Sequence, residues 1–109
     1  MSTYKKIPKE VKRYYERELR QYWKNKSLLN KFEDKKLHSR QILFLEERIE
    51  SIENVIKRLT PFEQEVFEMI FKENIDWLYA KTMNGIDKNT YYNIMNKAIY
   101  MLAEEVGEI

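Results

Sequence analysis

The scarcity of chain-breaking residues restricts the fold of this sequence more than any other feature. Its 109 residues include only two glycines and two prolines, and 35% of the residues are charged. An all-β sandwich or barrel needs turn residues about every 8–12 positions, which this chain cannot supply. The sequence therefore predicts an all-α protein of about one domain.

Composition also removes several classes of function. The chain has no cysteine, so neither disulfides nor thiolate metal sites are available. It has no glycine-rich phosphate loop and no HExxH motif, and its one histidine, His38, is interpreted as an ordinary surface residue. The acidic pairs at 46–47 and 104–105 are interpreted as solvated helix faces. We therefore expect a non-enzymatic protein with no catalytic residue, no cofactor and no metal.

The chain also lacks the segments that would direct it to a membrane. No apolar run approaches the roughly 20 residues that span a bilayer. The N-terminus, MSTYKKIPKE, has no hydrophobic signal-peptide core. These features predict a cytoplasmic protein without a membrane partner.

Charge is distributed unevenly along the chain. Residues 1–40 contain 13 Lys and Arg against 5 Asp and Glu, whereas residues 59–109 contain 4 against 9. This asymmetry predicts an anionic partner for the N-terminal part. The alternative is that a long solvated helix is simply rich in lysine.

The first predicted helix begins at Pro8, because proline is tolerated in a first helical turn. It extends to about Asp34, with a bend or break near residues 25–27, where Lys26 interrupts the apolar stripe. That stripe consists of Val11, Tyr15, Leu19, Tyr22, Leu29 and Phe32.

The second predicted helix runs from Arg40 to about Arg58, with Ser39 as its N-cap. Its apolar residues follow a strict heptad spacing, so they must be buried against another helix. The partner is either the first helix, folded back as an antiparallel, coiled-coil-like hairpin, or the same helix of a second copy. We expect self-association, as a homodimer, through this N-terminal half. The heptad residues are Ile42, Leu45, Ile49, Ile52, Ile56 and Leu59.

A well-defined helix start follows at Leu59-Thr60-Pro61. Thr60 and Glu63 have the spacing of a capping box, and Pro61 occupies the first helical position. After a short polar break at residues 72–74, a further helix is predicted from Ile75 to Met83. The expected inner face of the first of these helices comprises Val66, Phe67, Ile70 and Phe71.

The last helix follows a turn at Asn84-Gly85-Ile86, where Gly85 can adopt a positive φ without steric cost. Asp87 is expected to cap this helix and Gly107 to end it. Helix, short glycine-containing turn and helix together form the helix-turn-helix pattern. In this pattern Ala80 allows the two helices to approach closely and Ile86 fills the space between them. The inward residues are expected to be Tyr91, Ile94, Met95, Ala98, Ile99 and Leu102.

Three asparagines spaced by four and then three residues share the outer face of this last helix. Asparagine forms bidentate hydrogen bonds with adenine, and lysine reaches guanine or phosphate. The alternative is the polar outer face of a helical bundle. The expected base-reading residues are Lys88, Asn89, Thr90, Tyr92, Asn93, Asn96 and Lys97. The expected DNA-phosphate contacts are Lys9, Lys12, Arg13, Arg17, Arg20 and Lys24 in the basic first helix.

The stretch LTPFEQEVFEMIF…AKTMNGIDKNTYYNIMNKAIYML resembles the fourth, promoter-reading region of bacterial sigma factors. With YKKIPKEVKRYYERELRQY at the start and AEEVGEI at the end, the chain is similar to the RinA/ArpU group of phage-encoded, sigma-like late-gene activators of Gram-positive bacteria. The resemblance covers Tyr4 to about Lys26 and Leu45 to Ile109. Two departures stand out: Asn84 looks like an extra turn residue, and asparagine occupies positions 89 and 93, where such helices often carry arginine.

The resemblance implies a sequence-specific regulator of transcription that binds double-stranded DNA in a bacterial host, at the nucleoid, with RNA polymerase as a candidate further partner. Residues 1–58 would form the basic helical hairpin, and residues 59–109 a three-helix, sigma-region-four-like helix-turn-helix domain. Because residues 59–109 are acidic, most phosphate contacts would have to come from the N-terminal part. The alternative is a non-enzymatic all-α interaction module that binds RNA polymerase or another regulator without reading DNA.

Overall fold

The structure is a computed structural model, and it describes residues 7–33 and 39–109. All regular elements in these ranges are helical, which confirms the all-α prediction, and none of them is long and apolar enough to cross a membrane. His38 and the predicted helix end near Asp34 lie outside the described residues. The helices are α1 (Lys9–Arg20), α2 (Tyr22–Glu33), α3 (Ser39–Arg58), α4 (Pro61–Phe67), α5 (Trp77–Asn84) and α6 (Lys88–Glu105), and α4 continues into a π-helical turn (Glu68–Lys72).

The predicted break in the first helical segment occurs at Gln21, which separates α1 from α2, and not near residues 25–27. The Gln21 backbone N–H donates to the carbonyls of Arg17 at 3.0 Å and Glu18 at 3.2 Å. The two halves pack against different partners, because α1 contacts α6 and the π-helical turn while α2 contacts α3. The break therefore marks a change of packing partner.

Lys26 does not interrupt the buried stripe of α2, because Asn25 occupies the buried position beside it. Asn25 is only 6% exposed. The Lys26 ammonium lies 3.4 Å from the carboxylate of Glu53 and 5.5 Å from the ring centre of Tyr22. Tyr22 donates its hydroxyl to the same Glu53 carboxylate at 2.8 Å, so α2 and α3 are joined by polar contacts at the edge of their apolar contact.

The heptad stripe of α3 is covered within the chain by α2 and α6. Ile49, Ile52 and Leu59 are buried, and the other three heptad residues are partly buried. Val55, which is outside the heptad spacing, is fully buried because α3 is packed on two sides. The described part of α3 starts at Ser39, directly after the undescribed residues 34–38, so the assignment of Ser39 as its N-cap stays a prediction.

The capping box at the start of α4 is confirmed. The Thr60 hydroxyl accepts from the Glu63 N–H at 3.2 Å, and the Thr60 N–H donates to the Glu63 carboxylate at 2.9 Å. Gln64 then closes the end of α3, since its side-chain amide donates to the carbonyls of Ile56 and Leu59 at 2.9 and 3.2 Å. The direction of the chain between α3 and α4 is thus set by local hydrogen bonds.

The next helix, α5, begins two residues later than predicted, at Trp77. Asp76 is its N-cap and accepts from the Tyr79 N–H at 2.8 Å. Asn74 in the preceding loop has φ +54°, a left-handed conformation that asparagine adopts more readily than most residues. The polar break predicted at residues 72–74 therefore leads into a sharp turn between the π-helical turn and α5.

The central helix of the protein is α6, which packs against α1, α3, α4 and α5. All six predicted inward residues are buried, and Met101 and Ala103 are buried as well, because the C-terminal half of α6 is enclosed on additional sides. Gly107, at φ +82°, ends the helix as predicted: it donates to Glu104 O at 3.1 Å, and Glu108 donates to Ala103 O at 2.8 Å. One continuous core includes residues on both sides of residue 58.

Candidate nucleic-acid interface

The turn between α5 and α6 is fixed by a left-handed glycine and by backbone hydrogen bonds to α5. Gly85 adopts φ +67° and its N–H donates to Lys81 O at 3.1 Å. The Ile86 N–H donates to Ala80 O at 3.2 Å, and the Ile86 side chain is buried beside the fully buried Ala80. An added Cβ at Gly85 would meet nothing within 4 Å, so glycine is needed here for its backbone conformation.

Tyr91 anchors the first turn of α6. Its hydroxyl donates to the carbonyl of Ile75 at 2.5 Å, which ties α6 to the loop before α5. Burial raises the pKa of this hydroxyl, so it remains protonated and able to donate at neutral pH. The orientation of α6 about its own axis is therefore held by a hydrogen bond as well as by its apolar face.

The first two turns of α6 present the predicted reading residues to solvent. Lys88, Asn89, Tyr92 and Asn93 are exposed, and Thr90 is partly exposed. The Lys88 ammonium lies 4.6 Å from the ring centre of Trp77, a cation–π contact that steadies the side chain. Asp87 has the backbone conformation of an N-cap, but its side chain makes no capping hydrogen bond, so that part of the prediction is wrong.

The last two predicted reading residues do not face solvent freely. Lys97 donates to the Glu63 carboxylate at 2.7 Å, because the start of α4 packs against this part of α6. Burial alone would raise the pKa of Glu63, but hydrogen bonds from Lys97 and Thr60 outweigh it and lower the pKa. Asn96 is half-buried, and its side-chain oxygen is buried without a partner among the described residues. The available stripe is thus the N-terminal half of α6.

Arg20, predicted to bind DNA phosphate, instead connects α1 to the π-helical turn. Its guanidinium donates to Ile70 O at 2.7 Å and to the Asn74 side chain at 2.6 Å, and pairs with Glu16 at 3.2 Å. It also lies 5.5 Å from the ring centre of Phe71. With its donors engaged in this way, Arg20 is a structural residue in this fold.

The other predicted phosphate contacts are more accessible than Arg20. Lys9, Arg13, Arg17 and Lys24 are exposed and Lys12 is partly exposed. Tyr14 and Tyr15 line a common groove with Leu102 and Val106, so the first turns of α1 lie beside the C-terminal end of α6. At 1.5 Å per residue, the 18 residues of α6 separate its ends by about 27 Å. The N-terminal part of α1, which carries Lys9, Lys12 and Arg13, thus borders the end of α6 opposite to Asn89.

Sequence reasoning missed the second role of Glu63. The capping box identifies this residue from a local spacing, but its contact with Lys97 joins positions 34 residues apart. No local pattern in the sequence indicates such a contact.

Comparisons of the chain with protein-family models, with curated proteins and with solved structures find no match. In the part of the chain that the structure describes, no group of His, Cys, Asp and Glu side chains could hold a metal ion. The functional interpretation therefore depends on the geometry of α5 and α6.

Proposed function

We propose that this chain is a sequence-specific double-stranded DNA-binding regulator of transcription, with α5 as the supporting helix and α6 as the recognition helix. The observation that supports the proposal is the division of α6 into two faces. Asn89 and Asn93 are exposed, whereas Tyr91 and Ile94 between and beside them are buried at 3% and 5% exposure. An exposed row of side-chain amides on a helix whose other face is buried can read bases in the major groove, which is wide enough for one α-helix.

The chemistry of the stripe favours base contacts at its N-terminal half. Asn89 and Asn93 can each form a bidentate pair with adenine, and Lys88 can reach guanine or phosphate. Tyr92 offers a hydroxyl to phosphate and a ring to a thymine methyl. Lys97 would contribute only if DNA competed successfully with Glu63 for its ammonium.

Phosphate contacts in this proposal come from basic residues of the N-terminal helices, such as the partly exposed Lys12 and the exposed Arg13. A duplex that contacts both these residues and the start of α6 would extend along that helix, over about 27 Å or about eight base pairs at 3.4 Å each. The resemblance to sigma-like phage activators supports a role at late-gene promoters in a bacterial host, in contact with RNA polymerase.

Replacing Asn93 with alanine tests the proposal. We expect the fold to remain intact, with a change in stability below about 0.5 kcal/mol, because the side chain is exposed. Specific binding should lose about 1–3 kcal/mol, mainly on the cognate site. The cognate site is first selected from phage genomic fragments, and affinities for cognate and scrambled DNA are then measured by fluorescence anisotropy at one salt concentration.

Asn30→Ala is the matched control, since Asn30 is an exposed asparagine on α2, away from the candidate interface. It should bind both DNAs as the unmodified chain does. If Asn93→Ala also binds both DNAs unchanged, the stripe is a solvated face and the base-reading proposal fails.

The alternative function, an interaction module that does not read DNA, is favoured by the apolar outer face of α5. Leu78, Tyr79 and Met83 are 57%, 53% and 65% exposed there, which suits contact with a protein such as RNA polymerase. A selection that enriches no DNA sequence would favour this alternative.

Salt dependence separates the two functions further. DNA binding should weaken with a log–log slope of about −0.9 per phosphate neutralised. Lys12→Ala or Arg13→Ala should weaken binding to all sequences alike and reduce the slope by about 1, because each removes one phosphate contact. Titrations at several salt concentrations check this, and an unchanged slope in both variants would exclude α1 from the phosphate contacts.

A further inference from the structure

A groove of about 590 Å³ opens between α1, α3 and the C-terminal end of α6, at the opposite end of α6 from Asn89. Ile52 and Leu102 form part of its floor and are buried. Its rim carries large apolar side chains that remain exposed: Tyr14 at 54%, Phe44 at 57% and Val106 at 48%. Exposed apolar residues grouped around a concave surface indicate a site of protein contact.

The rim of this groove is acidic. Glu47 and Glu50 line it, are exposed, and make no side-chain hydrogen bond or ion pair within residues 7–33 and 39–109. Glu105 also lines it and accepts from the Asn54 amide at 2.8 Å. The basic residue of the lining, Arg48, is already paired with Glu18 and lies 5.0 Å from the ring centre of Phe44. The groove therefore favours an apolar partner surface flanked by unpaired basic side chains.

The chain itself carries such a surface next to the groove. Arg17 follows Tyr14 by three positions on α1, so the two side chains are neighbours on the helix surface. Arg17 is exposed and pairs with no carboxylate in the described part of the protein. The apolar, acidic groove and the apolar, basic surface of Tyr14 and Arg17 therefore lie side by side on one molecule. That arrangement is what a two-fold, isologous interface requires.

We propose that the groove is the interface between two copies of this chain. Tyr14 and Phe44 of the two copies pack together about a two-fold axis, and Arg17 of each copy faces Glu50 of the other. In this arrangement Arg17 contacts the second copy instead of DNA phosphate. The heptad stripe of α3 is less available for this purpose, since Ile49, Ile52 and Leu59 are buried within the chain.

The location of the groove leaves the start of α6 free. The groove includes Leu102 and Val106, at the opposite end of α6 from Asn89. A dimer formed there would present two recognition helices, each able to contact a half-site. Dimerisation does not depend on DNA binding, so it can be tested without DNA.

Charge reversal in the 109-residue chain provides the test, with sedimentation equilibrium as the measurement and circular dichroism as the check on folding. The unmodified chain should sediment at twice its mass of 13.5 kDa, and increasing salt should weaken the association. Arg17→Glu places two carboxylates opposite each other, and Glu50→Arg places two guanidinium groups opposite each other, so each variant alone should be monomeric. An equimolar mixture should dimerise, because both contacts in the mixed dimer then join opposite charges.

A pair of apolar variants provides the matched control. Phe44→Ala should raise the dimer dissociation constant by about tenfold or more, as expected for an aromatic residue at the centre of an interface. Leu43→Ala should leave it unchanged, because Leu43 is equally exposed at 56% but does not line the groove. A monomeric unmodified chain at millimolar concentration, no association in the charge-reversed mixture, or equal effects of the two alanine variants would overturn the proposal.

Discussion

Phe67→Ala should lower the free energy of unfolding by about 3–5 kcal/mol, the range typical of a buried phenylalanine reduced to alanine. Phe67 is 1% exposed and lies between two other rings, with centre-to-centre distances of 5.8 Å to Trp23 and 4.9 Å to Phe71. Its removal leaves a cavity where α2 meets α4 and the π-helical turn. Aromatic pairs contribute about 0.5–1.5 kcal/mol beyond their buried area, which adds to the loss.

Urea denaturation followed by circular dichroism measures this effect, with Phe62→Ala as the control. Phe62 is on the same helix but is 52% exposed, so its replacement should change stability by no more than about 0.5 kcal/mol. Similar losses in the two variants would contradict the position of Phe67 in a core shared by the two halves of the chain.

The second large effect is expected for Ile94→Ala, which should destabilise the protein by about 2–5 kcal/mol. Ile94 is 5% exposed on the face of α6 that packs into the core. The adjacent Asn93 is exposed, so Asn93→Ala should leave the stability within about 0.5 kcal/mol. Of these two adjacent residues of α6, the buried one is therefore expected to affect stability and the exposed one to affect DNA binding.

Denaturation curves of the two variants, measured in parallel, check this division of α6. Equal stability of Ile94→Ala and Asn93→Ala would mean that the buried face of α6 is assigned incorrectly, and the reading stripe with it. A large loss of stability in Ile94→Ala, with DNA binding retained at temperatures where it is folded, would show that the two faces act independently.

The two ends of the proposed DNA surface are expected to contribute differently to binding. The proposed reading stripe occupies the start of α6, whereas the first turns of α1, which carry Lys12 and Arg13, border the groove at the end of α6. If Lys12 and Arg13 bind phosphate, affinity for cognate DNA should increase with duplex length until the duplex reaches these two residues. In the proposed function most of the non-specific affinity comes from the basic residues of α1, because phosphate contacts supply that part of the binding free energy.

Elements whose signals lie within a few residues were predictable from the sequence. The Thr60–Glu63 capping box and the left-handed Gly85 both occur as expected, since each depends on backbone groups three or four positions away at most. The buried face of α6 was predictable as well, because a 3.6-residue period relates neighbouring positions on one helix. DNA reading by the opposite face is a prediction that binding measurements have still to test.

Only the tertiary structure decided which of the polar side chains predicted to contact DNA are free of contacts within the chain. Arg20 and Lys97 both carry a charge suited to DNA, yet one contacts Ile70 and Asn74, 50 and 54 residues away, and the other contacts Glu63, 34 residues away. The break at Gln21 has a similar origin, because it occurs where the chain exchanges α6 for α3 as its packing partner. A local pattern predicts which residues share a helix face. Which segment packs against that face depends on contacts between residues that are far apart in the sequence.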